Sequence, residues 1–320
     1  MKRTTCWIGL LCATVAAVGA GAGTARADGL PVLGVDAGLE GVVGLAGDAR
    51  YVTLPAGKNT VVARVDPRGG RIVRSRLLPG TLTIPAVAYD GSSGGLSGDG
   101  RTLVLIRPRL SFPRATTTLV ALDAKRLVPR SEVKLRGDFS YDALSPDGAW
   151  LYLIQYVSPT DPTRYAVRVY DLRAGRLLAQ AVTDPTERGA MHGSPRTRLV
   201  SADGRWAYTL YDGLGKAPFI HALDTSTRSA HCIDLLALAG SDLSRAHLVL
   251  NGDRLTVTNP RAAAVVDTRT FLVSPAAPVA EPKTTGIAWP LLLSLLGVLA
   301  AGGTLSLALL RRRRRLATVQ

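Results

Sequence analysis

Cysteine is nearly absent from this chain. Of three in 320 residues, Cys6 and Cys12 fall near the start and only Cys232 lies beyond it. Once a leader is removed no intrachain disulfide is possible, so the fold must rest on its core, with Cys232 a buried, inert thiol. Aromatic residues make up 5%, and histidine occurs four times. His192, His221, His231 and His247 show no pair at helical metal-ligand spacing, and His231 and Cys232 would point to opposite faces of a strand. His221 falls in a strand pattern and reads as packed rather than ligating. No phosphate-binding glycine loop ending in Lys-Ser/Thr occurs, so neither a metal nor a cofactor is expected. Long amphipathic helical patterns are missing too. Only residues 235–245, around Leu236, Leu238 and Leu243, could form a helix, and Gly240 weakens it.

Positive charge is what the chain has in surplus, with 39 Lys+Arg against 24 Asp+Glu and a net charge of +15. Its placement decides its meaning. Lys2, Arg3, Arg26, Arg311, Arg312, Arg313, Arg314 and Arg315 sit at the two ends, which leaves a mildly basic middle. No nucleic-acid partner is therefore expected. At 47% hydrophobic and 20% charged, the chain has enough apolar material for a core, which excludes intrinsic disorder.

Both ends carry membrane addresses. Met1-Lys2-Arg3, an apolar stretch from Cys6 and the A-x-A site Ala25-Arg26-Ala27 are the three parts of a secretory signal peptide over residues 1–27, cut after Ala27. Residues 286–310 hold no charge and end at five arginines. A helix of that length spans roughly 37 Å, more than the ~30 Å hydrocarbon core. The five arginines hold residues 311–320 in the cytoplasm, and Trp289 suits the outer interface. The expectation is a single-pass cell-membrane protein whose residues 28 to about 285 lie outside, with residues 276–285 as a Pro/Ala-rich stalk. Pro282-Lys283-Thr284-Thr285-Gly286 imitates a sortase sorting signal, but Glu281 stands where that signal has Leu and one extra Thr intervenes. Membrane retention is the default and wall attachment the alternative.

Between these ends one unit repeats. A small-polar turn with Asp recurs at Asp48, Asp99, Asp147, Asp203 and Asp253, spaced 51, 48, 56 and 50 residues apart. Gly100, Gly148 and Gly204 follow three of them. Asp-Gly between β-rich runs favours a tight hairpin, because Gly takes positive φ without cost and Asp tolerates it. A second marker, an apolar run ending in Asp66, Asp123, Asp171, Asp224 or Asp267, follows each turn by 14 to 24 residues. Two turns per period imply four antiparallel strands in about 50 residues. Such a sheet cannot bury both faces alone. Radial stacking gives each face a neighbour, so the expected fold is all-β, a β-propeller of about five four-stranded blades over residues 28–275, followed by one C-terminal transmembrane helix. Leu30-Pro31-Val32-Leu33-Gly34-Val35-Asp36 would supply a closing strand or part of a sixth, shortened blade.

Leu144-Ser145-Pro146-Asp147-Gly148-Ala149-Trp150-Leu151-Tyr152 and Ser201-Ala202-Asp203-Gly204-Arg205-Trp206-Ala207-Tyr208 resemble the S-P-D-G-x-x-L-Y/A motif of bacterial TolB-like and YVTN-type, or WD40-like, propeller repeats. The resemblance implies a propeller. It departs from TolB in lacking that protein's amino-terminal domain and in carrying a membrane helix, so TolB's role in outer-membrane upkeep does not transfer.

Catalytic motifs do not withstand inspection. Gly91-Ser92-Ser93-Gly94-Gly95 fits G-x-S-x-G formally, but that motif works on a strand-to-helix turn, and here it precedes a blade hairpin. The turn aspartates lack the alternating oxygen ligands that calcium needs and read as structural. The expected function is non-catalytic binding of an envelope protein, peptide or glycan through the long loops at residues 107–117, 158–164 and 186–198. The alternative is an extracytoplasmic hydrolase or lyase with its site in the channel.

Overall fold

Apolar residues at alternate positions bury one side of each repeat only when the chain is extended. In the computed structural model, which describes residues 40–187, 191–259 and 261–276, regular structure is all strand apart from two three-residue 3-10 turns. The first blade comprises β1 (Val42–Val43), β2 (Arg50–Ala56), β3 (Asn59–Val65) and β4 (Ile72–Pro79). The second has β5 (Thr102–Ile106), β6 (Thr116–Asp123) and β7 (Val128–Arg136). The third has β8 (Phe139–Leu144), β9 (Trp150–Tyr156), β10 (Arg164–Asp171) and β11 (Arg176–Val182), with β12 (Met191–His192) added beside β10. The fourth is β13 (Pro195–Val200), β14 (Trp206–Tyr211), β15 (Phe219–Asp224) and β16 (Ser229–Asp234), and the fifth β17 (His247–Asn251), β18 (Arg254–Thr258), β19 (Ala262–Asp267) and β20 (Val273–Pro275). Apart from β12, which pairs with β10 and not with β11, neighbours in sequence are neighbours in each sheet, and every pairing is antiparallel. Five such meanders match the expected blade number.

The second blade departs from four strands. Its inner position is held by isolated bridges, Thr83 to Ile106 and Leu96 to Leu103, on either side of a loop. Gly94 and Gly95 bring that loop close: a Cβ at Gly94 would lie 2.5 Å from a Tyr141 ring carbon, and one at Gly95 2.5 Å from the Val104 carbonyl oxygen. The G-x-S-x-G stretch is this loop. Ser92 Oγ donates to Asp90 Oδ1 and Ser93 Oγ to the Gly41 carbonyl, so both serines act as fasteners.

The Asp-Gly turns differ from the tight form expected. In three blades the hairpin closes from Ser to a residue five further on, as from Ser145 N to the Trp150 carbonyl at 2.9 Å. Only the glycine takes positive φ, 66° at Gly100, 67° at Gly148 and 73° at Gly204. The aspartate works through its side chain. Asp147 Oδ1 accepts from Ser145 Oγ and from the Ala149 N–H, and Ser145 Oγ accepts from the Trp150 N–H. Ser97/Asp99 and Ser201/Asp203 repeat the same three bonds. Asp48 and Asp253, which have no such serine, instead face Arg64 and Arg269. The second-marker aspartates cap the other hairpin of each blade by accepting backbone N–H groups, as Asp171 does from Arg173 and Ala174. Arg173 then reaches back to Asp147 at 2.8 Å, so both hairpins lie at one end of the blade.

Blades pack face to face in sequence order. Tyr51, Val62 and Leu78 meet Leu103, Leu105 and Leu122 between the first two. Val104 and Leu119 meet Phe139, Leu151 and Leu153 at the next seam. Tyr165 and Val167 meet Tyr211 and Leu223 at the third, and Leu210 and Ile220 meet Leu255 and Val257 at the fourth. Each leucine so buried is worth roughly 1.5–3 kcal/mol, so the seams and not the turns supply most of the stability. Among the described residues no core cluster joins the fifth blade to the first.

Residues 235–245, the one stretch that could have been helical, form a single 3-10 turn, Leu236–Leu238. Leu235, Leu238 and Leu243 are buried, but Gly240 at φ 75° breaks the helical path between them. The closing strand at residues 30–36, the cleavage site at Ala25 and Ala27, the stalk beyond residue 276, the spanning segment with Trp289 and the arginine tail lie outside the described residues. Among the described residues no helix is long and apolar enough to cross a membrane.

Candidate functional site

In a four-stranded meander the first and third connections share one end and the second the other. The Asp turns and their caps therefore occupy one end of each blade, and the long connections fall at the opposite end. Residues 107–117 join β5 to β6, residues 158–164 join β9 to β10, and residues 186–198 lead from β11 through β12 into β13. Two of these loops are stitched together. The Gly193 N–H donates to the Thr163 carbonyl at 3.2 Å, Arg164 pairs with His192, and His192 Nε2 lies 3.7 Å from Asp161 Oδ2.

The remaining loop is irregular but firmly anchored. Arg109 lies 2.7 Å from Asp138 Oδ1, fully buried, with its guanidinium 4.4 Å from the Tyr156 ring centroid and 5.5 Å from that of Phe112. Arg114 reaches the same carboxylate at 3.2 Å, and its backbone N–H donates to Asp138 Oδ2. Burial pulls the Arg114 guanidinium down to about 10, a shift that Asp138 opposes. Leu110, between these arginines, is 94% exposed. A rigid loop thus holds a leucine in water at the loop end.

A cavity of about 110 Å³ lies at the centre, lined from four blades by residues that include Val42, Leu96, Asp142, Ala143 and Arg198. The Asp turns converge beside it. The Asp99 N–H donates to the Pro146 carbonyl, and a Cβ on Gly204 would come within 3.0 Å of Gly98 Cα. Gly204 thus serves contact between blades as well as its own turn. Asp142 (β8) and Arg198 (β13) form an ion pair with side chains 2% and 5% exposed. Arg198 donates through Nη2 to Asp142 Oδ1 and through Nη1 to the Asp142 carbonyl. Burial opposes the Arg198 charge, but Asp142 reverses the balance and raises its pKa.

Behind this pair runs a polar row. Arg198, Thr209, His221 and Cys232 stand directly opposite one another across the fourth blade and so share its face. Burial pushes the His221 imidazole down to about 4, leaving it neutral at neutral pH, and pushes the Cys232 thiol up to about 12. His221 is packed, as its strand position implies. Asp142 Oδ2, Arg198 Nε, Thr209 Oγ1 and His221 Nε2 have no hydrogen-bond partner. Among the described residues no three His, Cys, Asp or Glu side chains gather as a metal site would require.

The structure brings Asp99, Asp147 and Asp203 to one end with their glycines, in structural turns. Sequence reasoning missed Asp142, Arg198, Arg109, Asp138 and Leu110. One signal was present for the central pair. In Phe139-Ser140-Tyr141-Asp142-Ala143-Leu144 a carboxylate interrupts a run that is otherwise free of charge, which marks a buried acid in need of a partner.

No protein-family model and no curated protein matches the chain. Solved structures with a related arrangement include TolB from Acinetobacter baumannii, 13% identical over 72% of this chain and 52% of that one, with a TM-score of 0.39. Others are the β-propeller domain of Swd1 from Myceliophteria thermophila (11%, 76% and 67%, 0.41) and a puromycin-hydrolyzing peptidase from Mycobacterium tuberculosis (19%, 74% and 38%, 0.38). This chain spans about half the length of that TolB. At such identities and scores the likeness carries neither activity nor partner; the chain's own strand order gives five antiparallel sheets among the described residues, packed in sequence order as the blades of a β-propeller are.

Proposed function

We propose that this chain is a non-catalytic, extracytoplasmic β-propeller, tethered to the cell membrane by residues 286–310, that binds a protein, peptide or glycan of the cell envelope through its loop end. One observation carries the binding surface: Leu110 stands 94% exposed on a loop fixed by Arg109, Arg114 and Asp138. An apolar side chain on an anchored stretch of backbone loses little backbone entropy on docking and gains the burial of its surface. The stitched loops at residues 158–164 and 186–198 provide a polar rim on the same end. Binding is favoured over hydrolysis because Asp142, the one carboxylate among the described residues that line the central cavity, is already ion-paired with Arg198.

The test is a photo-crosslinking residue placed in living cells at position 110 or, as a control on the turn end, at Arg173. An adduct to one envelope component from 110 and none from 173 is the expected outcome. Equal adducts from both ends, or none from 110, would refute loop-end binding.

A further inference from the structure

The outermost strand of the first blade supports an inference separate from the loop end. β4 pairs with β3 along one side, and among the described residues no strand pairs with its other side. Alternate backbone N–H and C=O groups of a strand face each side, so the open side presents a row of them. Six consecutive residues of β4, Ile72 through Leu77, are exposed, a longer run than in β7, β11, β16 or β20, the outer strands of the other blades. Proline enters β4 only at its last residue, whereas β7 has Pro129 second. Ile72 and Leu77 are each 58% exposed, an apolar surface that an added strand would cover.

We propose that β4 accepts an extended segment of a partner protein in which aliphatic and acidic residues alternate, added to the sheet as a fifth strand. Side chains set the class. Arg74, Arg76 and Leu78 point towards the second blade, and Ser75 and Leu77 to the opposite face. Among the described residues neither arginine is ion-paired, for Glu132 on β7 is taken by Lys134 and Asp48 by Arg64. An acidic residue opposite each arginine meets that charge, and aliphatic residues between them cover Leu77. The Leu78 end borders a cavity of about 310 Å³ between the first two blades, with Leu78, Pro79, Leu82 and Pro129 in its walls, so an aliphatic residue fits there too. A second copy of the chain is disfavoured, because two β4 edges meeting antiparallel about Ser75 set Arg74 against Arg76 twice.

Calorimetric titration of the full chain in detergent tests this, with the peptide acetyl-Leu-Val-Glu-Val-Glu-Val-amide as probe. Laid antiparallel with its leucine opposite Leu78, it sets its glutamates opposite Arg76 and Arg74. The same peptide with lysine at both glutamate positions is expected to bind at least about tenfold more weakly. Methylating every second backbone nitrogen, in each of the two phases, should weaken one phase about tenfold more than the other, since only alternate N–H groups meet β4. Arg74→Glu combined with Arg76→Glu is expected to reverse the preference, so that the lysine peptide binds the better. Should that variant not fold, raising the salt from about 50 to about 300 mM should weaken binding of the glutamate peptide to the parent chain severalfold. No binding of the glutamate peptide, equal binding of the two peptides, or equal loss in both methylation phases would overturn the proposal. So would a dimer of the parent chain, seen by sedimentation, that the double variant dissolves, because the edge would then belong to a second copy.

Discussion

At the scale of single residues, the repeated glycines look alike in sequence and do different work. Gly100 and Gly148 share a φ near 66°, yet a Cβ at Gly100 meets nothing within 4 Å, while one at Gly148 would lie 2.5 Å from Thr102 Oγ1 and 2.8 Å from Thr102 Cβ. Alanine at 100 therefore suffers only the left-handed backbone, a cost of about 1 kcal/mol. Alanine at 148 suffers that and a clash with the second blade, and should cost at least about 2 kcal/mol. Urea unfolding of both variants measures the difference, and equal midpoints would mean that the third turn does not press on Thr102. The turns were legible because their chemistry is local: Ser145, Asp147 and Gly148 satisfy one another within six residues. Arg198 was not legible, because its partner Asp142 is 56 residues away and only blade packing brings them together.

At the scale of elements, strand against loop could be read from alternation, while the rigidity of a loop could not. Residues 107–117 carry arginines, prolines and threonines and read as an open connection. In the fold Asp138, just before β8, gathers Arg109 and Arg114 inward and turns the loop into a strut. Nothing in the sequence marks Asp138 as their partner, since it lies 29 and 24 residues from them. Asp138→Ala would leave two buried guanidinium groups without their carboxylate, and stability should fall by about 3–5 kcal/mol. Loosening should also be local. Limited trypsin digestion should cut after Arg109 or Arg114 in the variant well before it cuts the parent, whereas Arg107 is protected in both by Pro108. Unchanged cleavage would show that the aromatic contacts of Arg109 with Phe112 and Tyr156 hold the loop without the carboxylate. Residues 235–245 do not use the helix their leucine spacing would allow, since three buried leucines can be satisfied by an irregular path once Gly240 permits the bend.

At the scale of the whole molecule, blade number followed from the repeat spacing, but which seams are sealed did not, because that depends on how each sheet twists against the next. Four seams have core clusters among the described residues, and on the far face of the first blade Val43, Leu54 and Leu77 stay exposed. Cellular placement depends on residues 1–27 and 286–320, which lie outside the described residues, and is argued from their sequence. In the proposed topology residues 1–27 start translocation, residues 286–310 stop it, and Arg311 to Arg315 fix the cytoplasmic side. The stalk at residues 276–285, rich in alanine and proline, then stands between a tightly packed propeller and the membrane surface, and is the accessible site for a protease. Protease added to intact protoplasts should release a resistant fragment of roughly 28 kDa, at ~110 Da per residue, into the medium. Removal of residues 286–320 should send the same fragment out as a soluble, β-rich protein. An ectodomain cut only after lysis would place the propeller on the cytoplasmic side and remove the envelope-binding function with it.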